Sequence, residues 1–303
     1  MSHILKGMTD ARSTLDNQSD VLIEIDENTR EKLKKAILDM YKDVYEVCRR
    51  HDIIPYLIGG SALGAVRHQG FIPWDDDIDI GMTREDYGKF VGIFERELGD
   101  RYVINAPNVS VKPKARFTKI FKKGTVCREV FDSKDSLNGI FLDVFIIENV
   151  PRNPLVRKIK GMYCNALQFI SSQVYLYEQD NPVLEELYSG DGKENYNSRK
   201  RIGKFFSFRS SVKWFDSVDK AVQYKKKTGL YGIATGRKHY LGEIFEEDVF
   251  FPVQYRKFED IEAPLFNNLD VYLRNLYHDY MQLPPEDKRE RHYVVELKFE
   301  ENV

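Results

Sequence analysis

Ile58-Gly-Gly-Ser-Ala-Leu-Gly-Ala-Val-Arg67-His-Gln-Gly-Phe-Ile-Pro-Trp74-Asp-Asp-Asp-Ile-Asp79-Ile-Gly81 is the stretch on which the fold turns. The apolar run Ile54 to Ile58 reads as a strand. It ends in Gly59-Gly60-Ser61, ahead of a short helix from Ala62 to about Arg67. A strand ending in small residues before a helix lets backbone N–H groups and a hydroxyl approach a phosphate closely, at the positive end of the helix. Gly60-Ser61 is therefore a candidate phosphate site, although Gly-Gly-Ser is also an ordinary turn. Asp77-Ile78-Asp79 adds the second half of the pattern. A strand from Asp77 to Gly81 puts both carboxylates on one face, with Ile78 and Ile80 turned to the core. Side-by-side carboxylates repel, and a cation between them relieves the repulsion. Magnesium, with manganese as the alternative, is hard and oxygen-seeking and bridges carboxylates to phosphates. Asp75 and Asp76 add charge at the strand's entrance. Most acidic runs are solvated loops, but here Asp77 and Asp79 alternate with apolar residues.

Working outward, Gly139-Ile-Phe-Leu-Asp143-Val-Phe-Ile-Ile147 is an apolar run with a lone Asp inside it. An ionised carboxylate there needs a metal, a cation or a hydrogen-bond network. With Asp77 and Asp79, Asp143 completes a catalytic set suited to two-metal phosphoryl transfer or to general-base work. Arg67 suits a bidentate grip on phosphate, and equally an ion pair with Asp75 or Asp76. His68 has both a phosphate-donor and a structural hydrogen-bond reading. Lys119, in the alternating stretch Ala115 to Phe121, is a candidate phosphate contact set against the default of an exposed lysine.

The rest of the chain fills in a mixed α/β (α+β) sheet with helices packed on it. Asn28 with Glu31 opens a helix whose Leu33, Ile37, Tyr41, Val44 and Cys48 form one buried stripe. Thr83 with Asp86 opens another, to about Leu98. Thr125 to Phe131 is β-prone. Residues 152–230 read as mostly helical, with a loop near Tyr188 to Asn197. Short strands follow from about Tyr231, then a helix from about Asn268 to Tyr280. Residues 1–25 read as a loose lead-in, and 26–303 as one catalytic domain: a core sheet over about 54–150, a helical insertion over about 152–230 and a C-terminal segment over 231–303.

Across Tyr56 to Gly81 the sequence resembles the LicD family of phosphotransferases, which includes the fukutin-related proteins. The likeness continues more loosely through Gly139 to Phe145 and Leu276 to Pro285, ending near His292. It implies a nucleotidyltransferase-like fold and transfer of phosphocholine or a related phospho-alcohol from a CDP-linked donor to a cell-surface glycan or teichoic-acid-type acceptor. It further implies Asp75, Asp77 and Asp79 as metal ligands, alongside Asp143, with Gly60-Ser61 at the phosphates. Two departures are Ile146-Ile147-Glu148, where many members have Pro-Leu-Asp, and Tyr277-His278-Asp279, where Tyr-Gly-Asp is common.

Hydrophobic residues at 42% and charged ones at 31% place the chain among globular proteins with a sizeable core. A net charge of −2 offers no overall pull on nucleic acid. Cys48, Cys127 and Cys164 are too dispersed for a disulfide framework or a cysteine zinc site, which fits a reducing cytosol. Arg199 to Phe215 mixes basic and aromatic residues, as does a segment that touches the inner membrane face beside a lipid-linked glycan; a helix packed on the core with a solvated basic face has the same composition. Two rival functions remain: an NTP-dependent nucleotidyltransferase, which shares the metal motif, and a catalytically silent glycan- or nucleotide-binding module.

Overall fold

The structure, a computed structural model, describes residues 22–23, 25–132, 137–188, 190–286, 289 and 293–299. The lead-in expected over residues 1–25 lies almost wholly outside them, as does His292.

Helix α1 (Glu27–Arg50) is capped by Asp26, whose carboxylate accepts from Thr29 N at 2.7 Å. The expected cap, Asn28, is already helical, because Asp26 is the residue with extended backbone from which a side chain can reach the orphan amides. The stripe Leu33, Ile37, Tyr41, Val44 and Cys48 is buried as its spacing requires. Next come β1 (Tyr56–Leu57), α2 (Gly59–Arg67), β2 (Asp79–Thr83), α3 (Arg84–Leu98), β3 (Tyr102–Asn105), β4 (Thr118–Lys122), β5 (Val126–Glu129) and β6 (Phe141–Asn149). Thr83 caps α3 through Asp86 N at 3.1 Å, as read from the sequence.

The main sheet runs β1-β2-β6-β4-β3. Only the β2–β6 pair along this path is parallel; its neighbours are antiparallel, so the sheet is mixed. β2 begins at Asp79, two residues later than expected. Asp77 and Ile78 approach it as an extended lead-in, and Ile78 O accepts from Asp143 N at 3.2 Å. Ile78 and Ile80 are both fully buried. The dominant core lies between this sheet and helices α1 and α3.

A helical segment follows: α4 (Pro154–Gln179), α5 (Gly190–Phe206) and α6 (Ser211–Val222). Asn153 caps α4, with Pro154 at its first position. The loop expected over Tyr188 to Asn197 is instead largely the first half of α5. Its Gly-Asp-Gly sets the start of a helix rather than interrupting one. What overrides the turn signal is packing: Gly203 brings α5 against the backbone of Gln173 on α4, closer than any side chain would allow. The chain then adds β7 (Leu230–Gly232) to the end of β6 and β8 (Ile244–Glu246) to β7. A hairpin of β9 (Gln254–Phe258) and β10 (Ile261–Leu265), helix α7 (Leu269–Tyr277) and β11 (Val294–Lys298), paired with β5, complete it. Asn268 caps α7, which starts where the expected helix does and ends three residues before Tyr280. No described helix is long and apolar enough to cross a membrane.

Candidate active site

The site is a row of polar residues crossing an otherwise apolar sheet. Register places Asp79 beside Asp143, Asp143 beside Lys119 and Lys119 beside Asn105, on β2, β6, β4 and β3 in turn. Registered neighbours share a face, so four separate strands deliver their side chains to one line. Lys119 Nζ bonds both carboxylate oxygens of Asp143, at 2.8 and 3.1 Å, and lies 3.5 Å over the Phe141 ring. Both members of this ion pair are 7% exposed. Burial opposes charge on the Lys119 ammonium, but the Asp143 and Glu129 carboxylates outweigh it and hold its pKa above the ordinary lysine value. The exposed-lysine default fails here because the register turns Lys119 inward to the carboxylate that most needs it. Its ammonium faces Asp143, so the pair, not a bare phosphate contact, is what the fold builds.

At the other end of the row, Asp79 abuts the amino end of α2. Its backbone N–H donates to Ser61 Oγ at 2.9 Å, which ties the start of β2 to the helix. Gly59 sits at φ +54°, and a Cβ there would lie 3.0 Å from Asp79 Oδ2 and 3.8 Å from the Tyr277 hydroxyl. A Cβ on Gly60 would lie 2.8 Å from Asp75 Oδ2. The two glycines therefore let two carboxylates close on the backbone. The positive end of the helix dipole makes that gathering of negative charge tolerable. Gly59 N donates to the buried Tyr272 hydroxyl at 3.1 Å, which secures the turn from behind. Asp77 lies near enough to Asp143 for their charges to oppose each other.

Arg67 and His68 are elsewhere. They stand at the carboxyl end of α2, roughly 9 Å along the axis from Ser61. Arg67 donates to His68 Nε2 at 3.0 Å and to the carbonyl of Tyr280 at 2.8 Å, and its guanidinium lies over Trp74. It braces the segment after α7 instead of pairing with Asp75 or gripping a phosphate beside Ser61. Burial lowers the pKa of both side chains. Glu148, in one of the departures from the family pattern, pairs with Arg84 and so links β6 to α3; it does not enter the site.

Among the described residues no group of three His, Cys, Asp or Glu side chains is arranged to hold a metal ion. Asp75, Asp77, Asp79 and Asp143 are thus not a ready four-ligand cage in this conformation. Lys119 bonds both oxygens of Asp143 and already neutralises its charge. Magnesium needs less than a cage: it is habitually held by one or two carboxylates, with waters and substrate phosphates completing its shell. Asp77 and Asp79, flanking Asp143, fit that simpler requirement.

Arg237 was not singled out in the sequence. Its exposed guanidinium lies 5.6 Å over the Tyr277 ring, whose hydroxyl faces Gly59. The signal was Thr235-Gly-Arg-Lys-His239, a small basic loop far along the chain from the acidic motif. Only folding brings the two together.

Residues 52–158 match the family described as LicD/FKTN/FKRP, nucleotidyltransferase domain. About a third of the chain is thus similar to the LicD-family domain. Over 271 residues it is 29% identical to the lipopolysaccharide cholinephosphotransferase LicD of Haemophilus influenzae, across 86% of this chain and 93% of that one. It is also 41% identical over 54 residues to the ribitol 5-phosphate transferase FKRP of mouse and human, a match to 18% of this chain and 11% of theirs. The LicD-family match spans the whole polar row: α2, Asp75 to Asp79, Asn105, Lys119 and Asp143 all fall within it. Arg237, Tyr272 and Tyr277 lie beyond it, and Tyr272 closes on the matched region at Gly59.

Proposed function

We propose that this chain transfers a phospho-alcohol, phosphocholine or a close relative, from a CDP-linked donor to a cell-surface glycan or teichoic-acid-type acceptor, using magnesium. Its similarity to transferases of phosphate-containing groups supports the reaction class. The observation that carries the reading is the register Asp79–Asp143–Lys119 beside the amino end of α2.

Asp77 and Asp79 would hold the magnesium, which would supply positive charge for the donor diphosphate and the departing CMP. Gly60 and Ser61 offer the donor the positive end of α2. Arg237, stacked on Tyr277, supplies a planar cation at the same edge. Asp143, kept ionised by Lys119, takes the proton of the acceptor hydroxyl. The acceptor oxygen forms its bond to the distal phosphorus while the bond to CMP breaks, the electron pair leaving with CMP. Residues 26–303 act as one catalytic unit in this reading, since Tyr272 from the C-terminal segment secures the turn at Gly59.

The test is thermal stabilisation by CDP-choline, CDP-ethanolamine, CDP-glycerol, CDP-ribitol, CTP and CMP, each with and without magnesium, on the wild type and on Asp77→Ala. One CDP-alcohol at a hundredfold over its Kd should stabilise by about 2.7 kcal/mol, only with magnesium and only in the wild type. Stabilisation by CTP alone would favour nucleotidyl transfer, and no response to any of them would favour a silent binding module.

We further infer a cytoplasmic enzyme in peripheral contact with the inner membrane face, where a lipid-linked acceptor would be presented. Phe205 and Phe208 are 75% and 78% exposed at the α5–α6 junction, beside Lys204 and Arg209, while Trp214 and Phe215 are buried. Basic residues around protruding aromatics suit an anionic interface. Phe205→Ser with Phe208→Ser should reduce sedimentation with phosphatidylglycerol vesicles about tenfold and leave the melting temperature unchanged; unaltered sedimentation would reject the contact.

A further inference from the structure

A cavity of about 220 Å³ opens between the strand lead-in Lys114–Arg116 and the helices α4, α5 and α6. Its walls are aromatic and cationic. Tyr175, Tyr188, Tyr196 and Phe215 supply rings, and Arg116 and Arg199 supply charge. The two arginines are the unusual feature. Neither pairs with a carboxylate among the described residues; the only hydrogen bond Arg116 makes there is a long one, 3.4 Å, to Ser172 Oγ. Its Nε is buried with no partner, and so is the hydroxyl of Tyr196, a residue only 3% exposed. Both arginines are half-buried; a partly desolvated guanidinium without a counter-charge is unfavourable, and an orphan hydroxyl adds to the cost. Burial alone, with no carboxylate to offset it, pulls the Arg116 pKa down to about 10. Lys114 differs: it is neutralised by Asp132 at 2.7 Å. The cavity thus lacks an anion and a hydrogen-bond acceptor, both of which a ligand can bring.

Its position ties it to the polar row. Asn105, the last member of that row, accepts from Lys114 N at 2.8 Å and donates to Lys112 O at 2.9 Å, holding in place the loop that forms the cavity's wall. The cavity therefore adjoins the β4–β3 side of the sheet, whereas α2 and Arg237 lie on the β1–β2 side. In-line displacement needs the attacking oxygen and the leaving group on opposite sides of phosphorus. If the donor diphosphate lies against α2, the attacking hydroxyl arrives from the side of this cavity.

We propose that the cavity is an acceptor subsite that takes one phosphorylated sugar of an anionic glycan, with Arg116 and Arg199 on its phosphate and the tyrosine rings on its apolar faces. Cations repel a choline head group, so the cavity selects the acceptor and not the transferred alcohol. The assignment of the ligand as acceptor rests on the transferase reading; the existence of the binding site does not.

The experiment is isothermal titration of the full chain with glucose 6-phosphate, glucose and inorganic phosphate, without donor or magnesium. Glucose 6-phosphate should bind at least tenfold more tightly than either control. Arg116→Gln and Arg199→Gln should each weaken it about tenfold or more, Tyr196→Phe by a few-fold, and Asp79→Asn not at all. Unliganded Arg116→Gln should melt no lower than wild type, because the charge it removes has no partner. The site falls if glucose 6-phosphate does not bind, if inorganic phosphate binds as well, if Asp79→Asn and not the arginine variants abolishes binding, or if Arg116→Gln is markedly less stable. Binding as expected with no response to any CDP-alcohol would leave the site standing and remove its acceptor role; CDP-alcohol stabilisation without sugar-phosphate binding would remove the site alone.

Discussion

An Asp79→Asn variant should lose transfer activity by roughly three orders of magnitude, about 4 kcal/mol of transition-state stabilisation, while melting at or above the wild-type temperature. The two effects separate because Asp79 holds its place through its backbone and offers its side chain to the site. The N–H that bonds Ser61 Oγ is untouched by the substitution, and so is the pairing of β2 with β6. What changes is the charge. Asp75, Asp77, Asp79 and Asp143 are gathered around the amino end of one nine-residue helix and a strand pair. Removing one negative charge from that group relieves repulsion. It also removes the grip on a cation shared with a diphosphate. Initial-rate assays with the donor identified by thermal stabilisation, together with melting curves, check both halves. Retained activity would dismiss Asp79 from the catalytic set. A large drop in melting temperature would recast it as a structural residue.

Lys119→Met should destabilise the protein by about 3–5 kcal/mol near neutral pH, the cost of stranding a buried charge by removing its partner. Methionine keeps most of the aliphatic stem over Phe141, so lost packing contributes little. The sign with pH follows. Burial already pushes the Asp143 carboxyl up, and without Lys119 nothing opposes that push. A carboxyl whose folded pKa lies above its unfolded value loses stability as pH rises between the two. The variant's deficit should therefore be large at pH 8 and shrink toward pH 5. Lys119→Met combined with Asp143→Leu should recover most of the loss, since it replaces both charges by apolar groups of similar size. Urea titrations of the single and double variants at the two pH values decide it. A single-variant cost under about 1 kcal/mol would mean that water reaches the pair. Transfer activity should be lost in both variants, because one removes the cation that opposes protonation of Asp143 and the other removes the carboxylate as well.

The sequence was most informative where the physics is local. The cap of α3 needs only Thr83 and Asp86, three positions apart, and it forms as read. Alternation within one strand is enough to turn Ile78 and Ile80 inward and leave Asp77 and Asp79 for the site. The isolation of Asp143 in an apolar run foretold a buried charge that required a partner. Together these features determined the mixed sheet, the positions of the carboxylates and the family likeness. The identity of the partner was beyond reach, because the Lys119–Asp143 contact depends on the register of β4 against β6, 24 residues apart in the chain. Register likewise decided that Asp143 faces a lysine instead of joining a ready metal cage. The same limit hid Tyr272, which meets Gly59 from 213 residues away, and Arg237, which stacks on Tyr277. It also hid the fate of Arg67, whose guanidinium is taken by carbonyls after α7. Helix α5 defied its own turn residues because packing on α4 outweighs local propensity. The sequence by itself determined which residues carry charge into the core and where along each element they lie. The tertiary structure decided which of those charges meet, because pairing across strands is a long-range consequence of burying the sheet's apolar face.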